Sequence, residues 1–233
     1  MYSLHIANKN YSSWSLRPWV LMRALDIPFE EHISYFTTDG KSDHFRTFSP
    51  TGKVPCLKFG KQTVWDSLGI VEFLAERHNG VWPTNSPART WARCVSAEMH
   101  SGFTHLRSLC NMNCGLRVKI ANWPPELMQD IRRIDALWQE GLREFGGPYL
   151  AGSHFTAVDA FFAPIVFRIQ TYNLPLSDVA KSYASLMLEQ DSMQQWYREA
   201  LQETVYIQPY EIQSKILGEV VGDERVVGVR LAD

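Results

Sequence analysis

The feature that most constrains the fold is a change in hydrophobic periodicity about eighty residues into the chain. Tyr2, Leu4 and Ile6 alternate with polar residues, which is typical of a strand, whereas Leu16 and Val20 recur at helical spacing. Over residues 1–80, such patterns predict strands and helices in the order βαβαββα. Beyond residue 88 the apolar residues follow a helical period, so an all-helical region is expected to follow a small α/β unit.

The composition of residues 79–87 separates the two patterns, because Gly, two Pro, Asn and Ser together suit a linker. We therefore predict one domain over residues 1–80 and an all-helical domain over residues 88–205. Residues 206–233 are predicted to form a C-terminal extension whose role the sequence leaves open. Within it, residues 219–227 suit a small hairpin, a disordered tail or a segment packed on another subunit.

Charge and cysteine content narrow the function classes. The 233 residues carry a formal net charge of −2, which gives no electrostatic reason to expect nucleic acid or an anionic membrane as a partner. The N-terminus has no basic segment followed by an apolar run, and the longest apolar stretch is too short to span a bilayer. We expect a cytoplasmic protein. Its four cysteines show neither a paired framework nor zinc-ligand spacing, so free thiols and no metal are expected.

A serine-rich segment, residues 10–18, follows the first predicted strand and opens the first predicted helix. The start of a helix has unpaired N–H groups and the positive end of the helix dipole. Lowering the pKa of a thiol by ~2 units from about 8.5 requires ~2.7 kcal/mol of preference for the thiolate. A hydroxyl donor such as Ser12, Ser13 or Ser15, acting with these N–H groups, supplies that order of magnitude. On this segment alone, the serines are equally suited to serve only as helix caps.

Two later segments suit an extended peptide ligand that carries both charges at one end. Lys53-Val54-Pro55 places a proline inside a strand pattern, and a cis bond before it would leave the main chain of Val54 to pair with a peptide. An ordinary trans proline in a turn is the alternative. At the next helix start, Ser67 is suited to receive a carboxylate and Asp66 an ammonium group, or the pair forms a simple N-cap. A γ-glutamyl group carries both charges on one carbon.

The spacing of Thr156 and Asp159 predicts a capping box, with Asp in place of the usual Glu or Gln. The helix that follows, residues 157–169, is apolar on nearly all sides and is therefore expected to be buried. Because a buried helix start cannot be solvated by water, this cap is predicted to have a structural role.

In this order, the motifs resemble those of the cytosolic glutathione S-transferases. Residues 12–17 (SSWSLR) are similar to the Ser-Ser-Cys-Ser-Trp-Arg signature of the zeta class. The resemblance implies a thioredoxin-like N-terminal domain, an all-helical C-terminal domain and a homodimer. It also implies that Ser12 stabilises a thiolate with help from Ser13. The residues implied to bind glutathione are Lys53, Val54, Pro55, Asp66 and Ser67, and the candidates for the second-substrate pocket are Tyr11, Trp14 and Arg17.

The function expected from this resemblance is detoxifying conjugation of reduced glutathione, a co-substrate, to small-molecule electrophiles. A glutathione-dependent isomerase of the maleylacetoacetate type, or a dehalogenase, is one alternative. Trp14 stands where the zeta class has cysteine, which weakens the argument for isomerisation. A non-catalytic glutathione-binding or interaction module is another alternative. Thiol–disulfide exchange is disfavoured because the helix start lacks cysteine.

Overall fold

The structure, a computed structural model, describes residues 1–226. The strands are β1 (Tyr2–Ile6), β2 (Phe29–Ile33), β3 (Cys56–Phe59), β4 (Gln62–Trp65), β5 (Leu116–Lys119) and β6 (Glu219–Asp223). The helices are α1 (Ser13–Ala24), α2 (Ser67–Ala75), α3 (Ser86–Ser101), α4 (Thr104–Leu109), α5 (Pro125–Phe145), α6 (Ala157–Tyr172), α7 (Asp178–Glu189), α8 (Asp191–Leu201) and α9 (Gln208–Leu217).

The N-terminal unit is a four-stranded sheet in the order β2-β1-β3-β4. β1 pairs in parallel with β2 and antiparallel with β3, which pairs antiparallel with β4. A 3₁₀ helix, Asp43–Thr47, lies between β2 and β3 and takes the place of the predicted short helical or irregular segment. This arrangement confirms the predicted thioredoxin-like unit.

The C-terminal domain is built around α6, which is buried on nearly all sides. α6 packs against α3 and α7 within this domain and against α1 of the first domain, so it lies at the centre of the molecule. α5 presents one apolar stripe to the core, begins at Pro125, and ends at Gly146 in the left-handed conformation (φ 76°). The predicted all-helical domain is thereby confirmed as to its main architecture.

A two-stranded sheet inside this domain was not predicted. β5 pairs antiparallel with β6, although the two strands are about a hundred residues apart in the chain. The local hairpin suggested for residues 219–227 is therefore wrong over residues 219–226, and Val227 lies outside the described residues. Gly218 allows the close approach of the two segments, since a Cβ there would lie 2.5 Å from the carbonyl oxygen of Lys119. α9, just before β6, was also not predicted.

Within residues 1–226, no helix combines the length and the apolar character needed to cross a membrane.

Candidate functional site

A cavity of about 360 Å³ lies at the junction of the two domains, beside the start of α1. It brings together six of the residues singled out in the sequence: Tyr11, Ser12, Ser13, Trp14, Lys53 and Val54. The remaining lining comes from Phe36, Ser42, Phe45, Arg107, Asn111, Met112, Arg168 and Tyr210. Three separate parts of the chain, the first domain, the helical domain and α9, therefore form the walls.

Ser12 occupies the N-cap position of α1, but its side chain makes no capping hydrogen bond. Its hydroxyl donates to Ser15 Oγ at 2.8 Å, and Ser15 Oγ accepts from the Ala7 backbone N–H at 3.2 Å. Ser12 is 6% exposed, whereas Ser13 is half-buried. The geometry places two hydroxyl groups at the positive end of α1, on the wall of the cavity.

The other segments predicted to bind a peptide lie around the same helix start. The Val54–Pro55 peptide bond is cis, and Val54 contributes to the cavity wall while Pro55 is buried. Asp66 is the N-cap of α2, where its Oδ1 accepts from the Leu68 N–H at 2.8 Å. Ser67 is fully buried, and neither Asp66 nor Ser67 lines the cavity itself.

Arg17 does not line the cavity, because its side chain is buried beneath it. The guanidinium stacks on the Trp14 ring at 4.2 Å from the centroid and donates to Ser67 Oγ at 3.4 Å. Burial lowers the pKa of Arg17 to about 9, and the positive charges of Arg107 and Arg168 act in the same direction. Arg17 therefore contributes positive charge under the site and links the start of α1 to that of α2.

Two cavity residues that the sequence analysis missed, Arg107 and Arg168, give the site a cationic wall. Arg168 is 3% exposed, and its Nε and Nη1 donate to the carbonyl oxygens of Cys110 (2.6 Å) and Pro164 (3.1 Å). Arg107 donates to the carbonyl oxygen of His100 at 3.0 Å. Within residues 1–226, neither arginine forms a salt bridge. A signal was present in the sequence, since Arg168 and the capping Asp159 are the two charged residues in the mostly apolar helix α6.

Tyr11 lines the cavity, but its hydroxyl is held by residues close to the C-terminus. It donates to Glu211 Oε1 at 2.7 Å and accepts from Arg225 Nη1 at 3.1 Å. Burial and the neighbouring Glu211 carboxylate raise the pKa of this phenol well above its usual range. Tyr11 therefore stays protonated, and its hydroxyl is already engaged.

Thr156 and Asp159 form a capping box at the start of α6, away from this cavity. The Asp159 carboxylate accepts from the backbone N–H groups of Thr156 (2.9 Å) and Leu150 (3.0 Å) and from the Tyr183 hydroxyl (3.0 Å). Burial raises the pKa of Asp159 to about 6. Thr156 also borders a wider cleft of about 800 Å³ near the linker, which contains none of the residues predicted to bind glutathione. In the described part of the chain, no cluster of three or more His, Cys, Asp or Glu is arranged to hold a metal ion.

Comparison with known proteins bears on what this arrangement does. Sequence models of the glutathione S-transferase N-terminal and C-terminal domains match residues 11–77 and 121–199. A probable maleylacetoacetate isomerase of Caenorhabditis elegans is 26% identical over 169 residues, covering 71% of this chain and 77% of that protein. A dichloromethane dehalogenase of Methylorubrum extorquens is 39% identical over 61 residues, but these cover only 25% of this chain and 21% of that protein.

A solved glutathione transferase homologue from Burkholderia, with bound glutathione, is similar in structure. Its TM-score is 0.63 at 19% identity, with 85% of this chain and 97% of that chain covered. At this level of identity the likeness supports the fold, which matches the two-domain architecture described above.

Proposed function

Because this chain belongs to the glutathione S-transferase family and is an enzyme of that type, we propose that it joins reduced glutathione to small electrophiles at the cavity beside α1. The Ser12 hydroxyl donates a hydrogen bond to the glutathione sulfur, and Ser13 assists. The thiol proton passes to solvent, the thiolate attacks an electrophilic carbon, and the leaving group departs with its electron pair.

The observation that carries this proposal is the placement of two serine hydroxyls at a helix start on the wall of a cavity. The Ser12 hydroxyl does not cap the helix, so it can turn from Ser15 to an incoming sulfur without leaving a helix N–H unpaired. The guanidinium groups of Arg107 and Arg168 add positive charge to the same wall, which favours an anion there.

Glutathione itself is proposed to bind along the first domain. Lys53 and Val54 lie on the cavity wall, where the Val54 main chain would pair with the cysteinyl unit next to Pro55. Asp66 and Ser67, at the start of α2, would hold the γ-glutamyl group. The Asp66 carboxylate lies 3.4 Å from His100 Nε2 and is 46% exposed, so it is accessible to an ammonium group.

A second candidate function is isomerisation or dehalogenation of a small acid with glutathione as the nucleophile. The specific observation in its favour is the pair of arginines in the cavity, the half-buried Arg107 and the buried Arg168, since guanidinium groups are well suited to bind a carboxylate. Two curated relatives are a probable maleylacetoacetate isomerase and a dichloromethane dehalogenase.

The proposal also includes a cytoplasmic location and a homodimer. In the second-substrate pocket, Tyr11 and Trp14 would contact the electrophile, with Arg17 beneath them.

The experiment that tests the thiolate role compares the wild-type enzyme with Ser12→Ala, Ser13→Ala and the double variant. With glutathione saturating, the pH profile of kcat/KM for the electrophile reports the pKa of the bound thiol. If the Ser12 hydroxyl contributes about one unit of the ~2-unit lowering of the thiol pKa, the thiolate fraction and hence the rate fall about threefold at pH 7 in Ser12→Ala, and about tenfold well below pH 6.5. Full conjugation rates in all three variants would contradict the assigned roles. An assay of an aryl halide beside maleylacetoacetate and chloroacetate separates the two candidate functions.

A further inference from the structure

The C-terminal residues 206–226, here called the strap, cross the cavity from one domain to the other. At the start of α9, the Gln208 N–H donates to the Thr38 carbonyl of the first domain at 3.0 Å. At the end of the strap, β6 pairs with β5 of the helical domain. Between these two attachments, Tyr210 contributes to the cavity wall, and its ring lies against that of Tyr11 with the ring centroids 5.4 Å apart.

α9 is tied to the cavity wall through Asn111. The Asn111 side-chain amide donates to the Tyr210 carbonyl at 2.8 Å, and its Oδ1 accepts from the hydroxyls of Tyr172 (2.7 Å) and Ser214 (3.0 Å). Asn111 itself lines the cavity. The position of Tyr210 is therefore set by a buried hydrogen-bond network, and not only by the helix propensity of a ten-residue segment.

A second attachment joins the strap to the residue that precedes Ser12. The Arg225 side chain is 4% exposed and forms ion pairs with Glu211 (2.6 Å) and Asp223 (2.6 Å). Arg225 and Glu211 together hold the Tyr11 hydroxyl. Gly115 provides the space for Arg225, because a Cβ at that position would lie 2.3 Å from Arg225 Cγ. A residue with a side chain at position 115 would therefore displace Arg225 from its ion pairs.

We propose that the strap is part of the second-substrate site, with Tyr210 as a residue that determines specificity for the electrophile and with Glu211 and Arg225 as positioning residues. The proposal rests on the function proposed above. Tyr210 would contact the group that becomes attached to sulfur. The cluster of Tyr11, Glu211 and Arg225 would hold the strap at a fixed position relative to Ser12.

The test measures binding of glutathione and of S-benzylglutathione by titration calorimetry, because their difference in affinity reports only the contacts of the benzyl group. In Tyr210→Ala, S-benzylglutathione is expected to bind about fivefold more weakly while the Kd of glutathione stays within about twofold, since one aromatic contact is removed. Tyr210→Phe keeps the ring and should behave as the wild type. Ile216 is on the same helix and is 73% exposed, so Ile216→Ala is the control for damage to α9.

The positioning role has its own readout. Arg225→Met is expected to weaken the binding of S-benzylglutathione, as Tyr210→Ala does. Arg225→Lys keeps the charge but loses the planar, bidentate donors of the guanidinium group, and it should give an intermediate affinity. The proposal would be overturned if the variants lost affinity for glutathione and for S-benzylglutathione equally. It would also be overturned if their loss of affinity for S-benzylglutathione were no greater than that in Ile216→Ala. If the wild type catalysed conjugation but Tyr210→Ala kept the wild-type preference for S-benzylglutathione over glutathione, the role of the strap would be overturned while the proposed function would stand. Failure of the wild type to bind either ligand would overturn the proposed function, and the strap's role with it.

Discussion

Replacement of Glu203 by Gln is predicted to change the pH dependence of folding stability. Glu203 follows α8 and holds the turn that leads to Ser12: its carboxylate accepts from the Lys9 N–H at 2.6 Å and from the Asn10 N–H at 3.0 Å. Burial raises the pKa of Glu203 from 4.5 to about 7, although both N–H groups and the Lys9 ammonium oppose that change. Each domain therefore contributes one side of a buried, titratable contact.

The sign and size of the effect follow from this pKa. Because the folded-state pKa is raised, the folded protein holds the proton more tightly than the unfolded chain, and the stabilisation is complete below about pH 4.5. It is lost as the pH rises through about 7, and at 1.36 kcal/mol per pKa unit the loss is about 3 kcal/mol. Gln cannot ionise, but its NH₂ group would face one of the two N–H donors, which costs about 1–3 kcal/mol at any pH.

Urea unfolding at pH 5, 6, 7 and 8 gives the free energy of unfolding of both proteins. Glu203→Gln is expected to be less stable than the wild type at pH 5, by up to about 2 kcal/mol, and to match or exceed the stability of the wild type at pH 8, by up to about 2 kcal/mol, because only the wild type loses about 3 kcal/mol over this range. Glu144→Gln removes an exposed carboxylate paired with Arg143 and serves as the control. A stability difference between Glu203→Gln and the wild type that stays constant across this range would refute the argument.

Two further predictions concern the cavity and the packing. Arg107→Met is expected to raise the KM for a carboxylate-bearing electrophile about tenfold, the loss of one hydrogen bond to an ionised group, while the exposed control Arg132→Met leaves it unchanged. An equal rise in KM for a neutral aryl halide would count against anion binding. Gly141→Ala should lower the free energy of unfolding by about 1–3 kcal/mol, since its Cβ would lie 2.4 Å from the Leu150 carbonyl oxygen. Gly69→Ala, which meets no described atom within 4 Å, should instead raise it by about 0.5 kcal/mol in the same urea assay.

The local signals in the sequence were sufficient for most of the architecture. Alternating residues in β1, the helical stripe of α5 and the turn residues around Gly146 each report on their own neighbourhood, and the structure confirms the two-domain fold built from them. The β5–β6 pair was not predictable in the same way. Four- and five-residue strands a hundred residues apart carry no sequence sign of their pairing, which depends on how α6 and the strap pack.

The residues of the candidate site also fall into those that local sequence predicts and those that only tertiary packing brings together. Ser12, Ser13 and Val54 were found from local chemistry at helix and strand ends, and the cavity brings them together. Arg107, Asn111 and Tyr210 were missed because each lies on a helix or loop that reaches the cavity only through tertiary packing. Arg17 was expected in the pocket, but its position on α1 directs it under the site to Ser67, an outcome set by helix phase and by the space beside Phe161.

Arg168 connects the stability of the fold to its proposed chemistry. A cation at this depth is costly unless groups of opposite polarity surround it, and the hydrogen-bond acceptors of Arg168 among residues 1–226 are the neutral carbonyl groups of Cys110 and Pro164. Burial lowers the pKa of Arg168 to about 10, so it remains charged at neutral pH. An anion bound in the cavity would add a charge of opposite sign near Arg168, and its binding would stabilise the folded state by RT ln(1 + [L]/Kd), which grows with the logarithm of ligand concentration. On this reasoning the positive charge of Arg168 would favour an anionic occupant of the cavity, either the thiolate or the carboxylate of an electrophile that the proposed function requires.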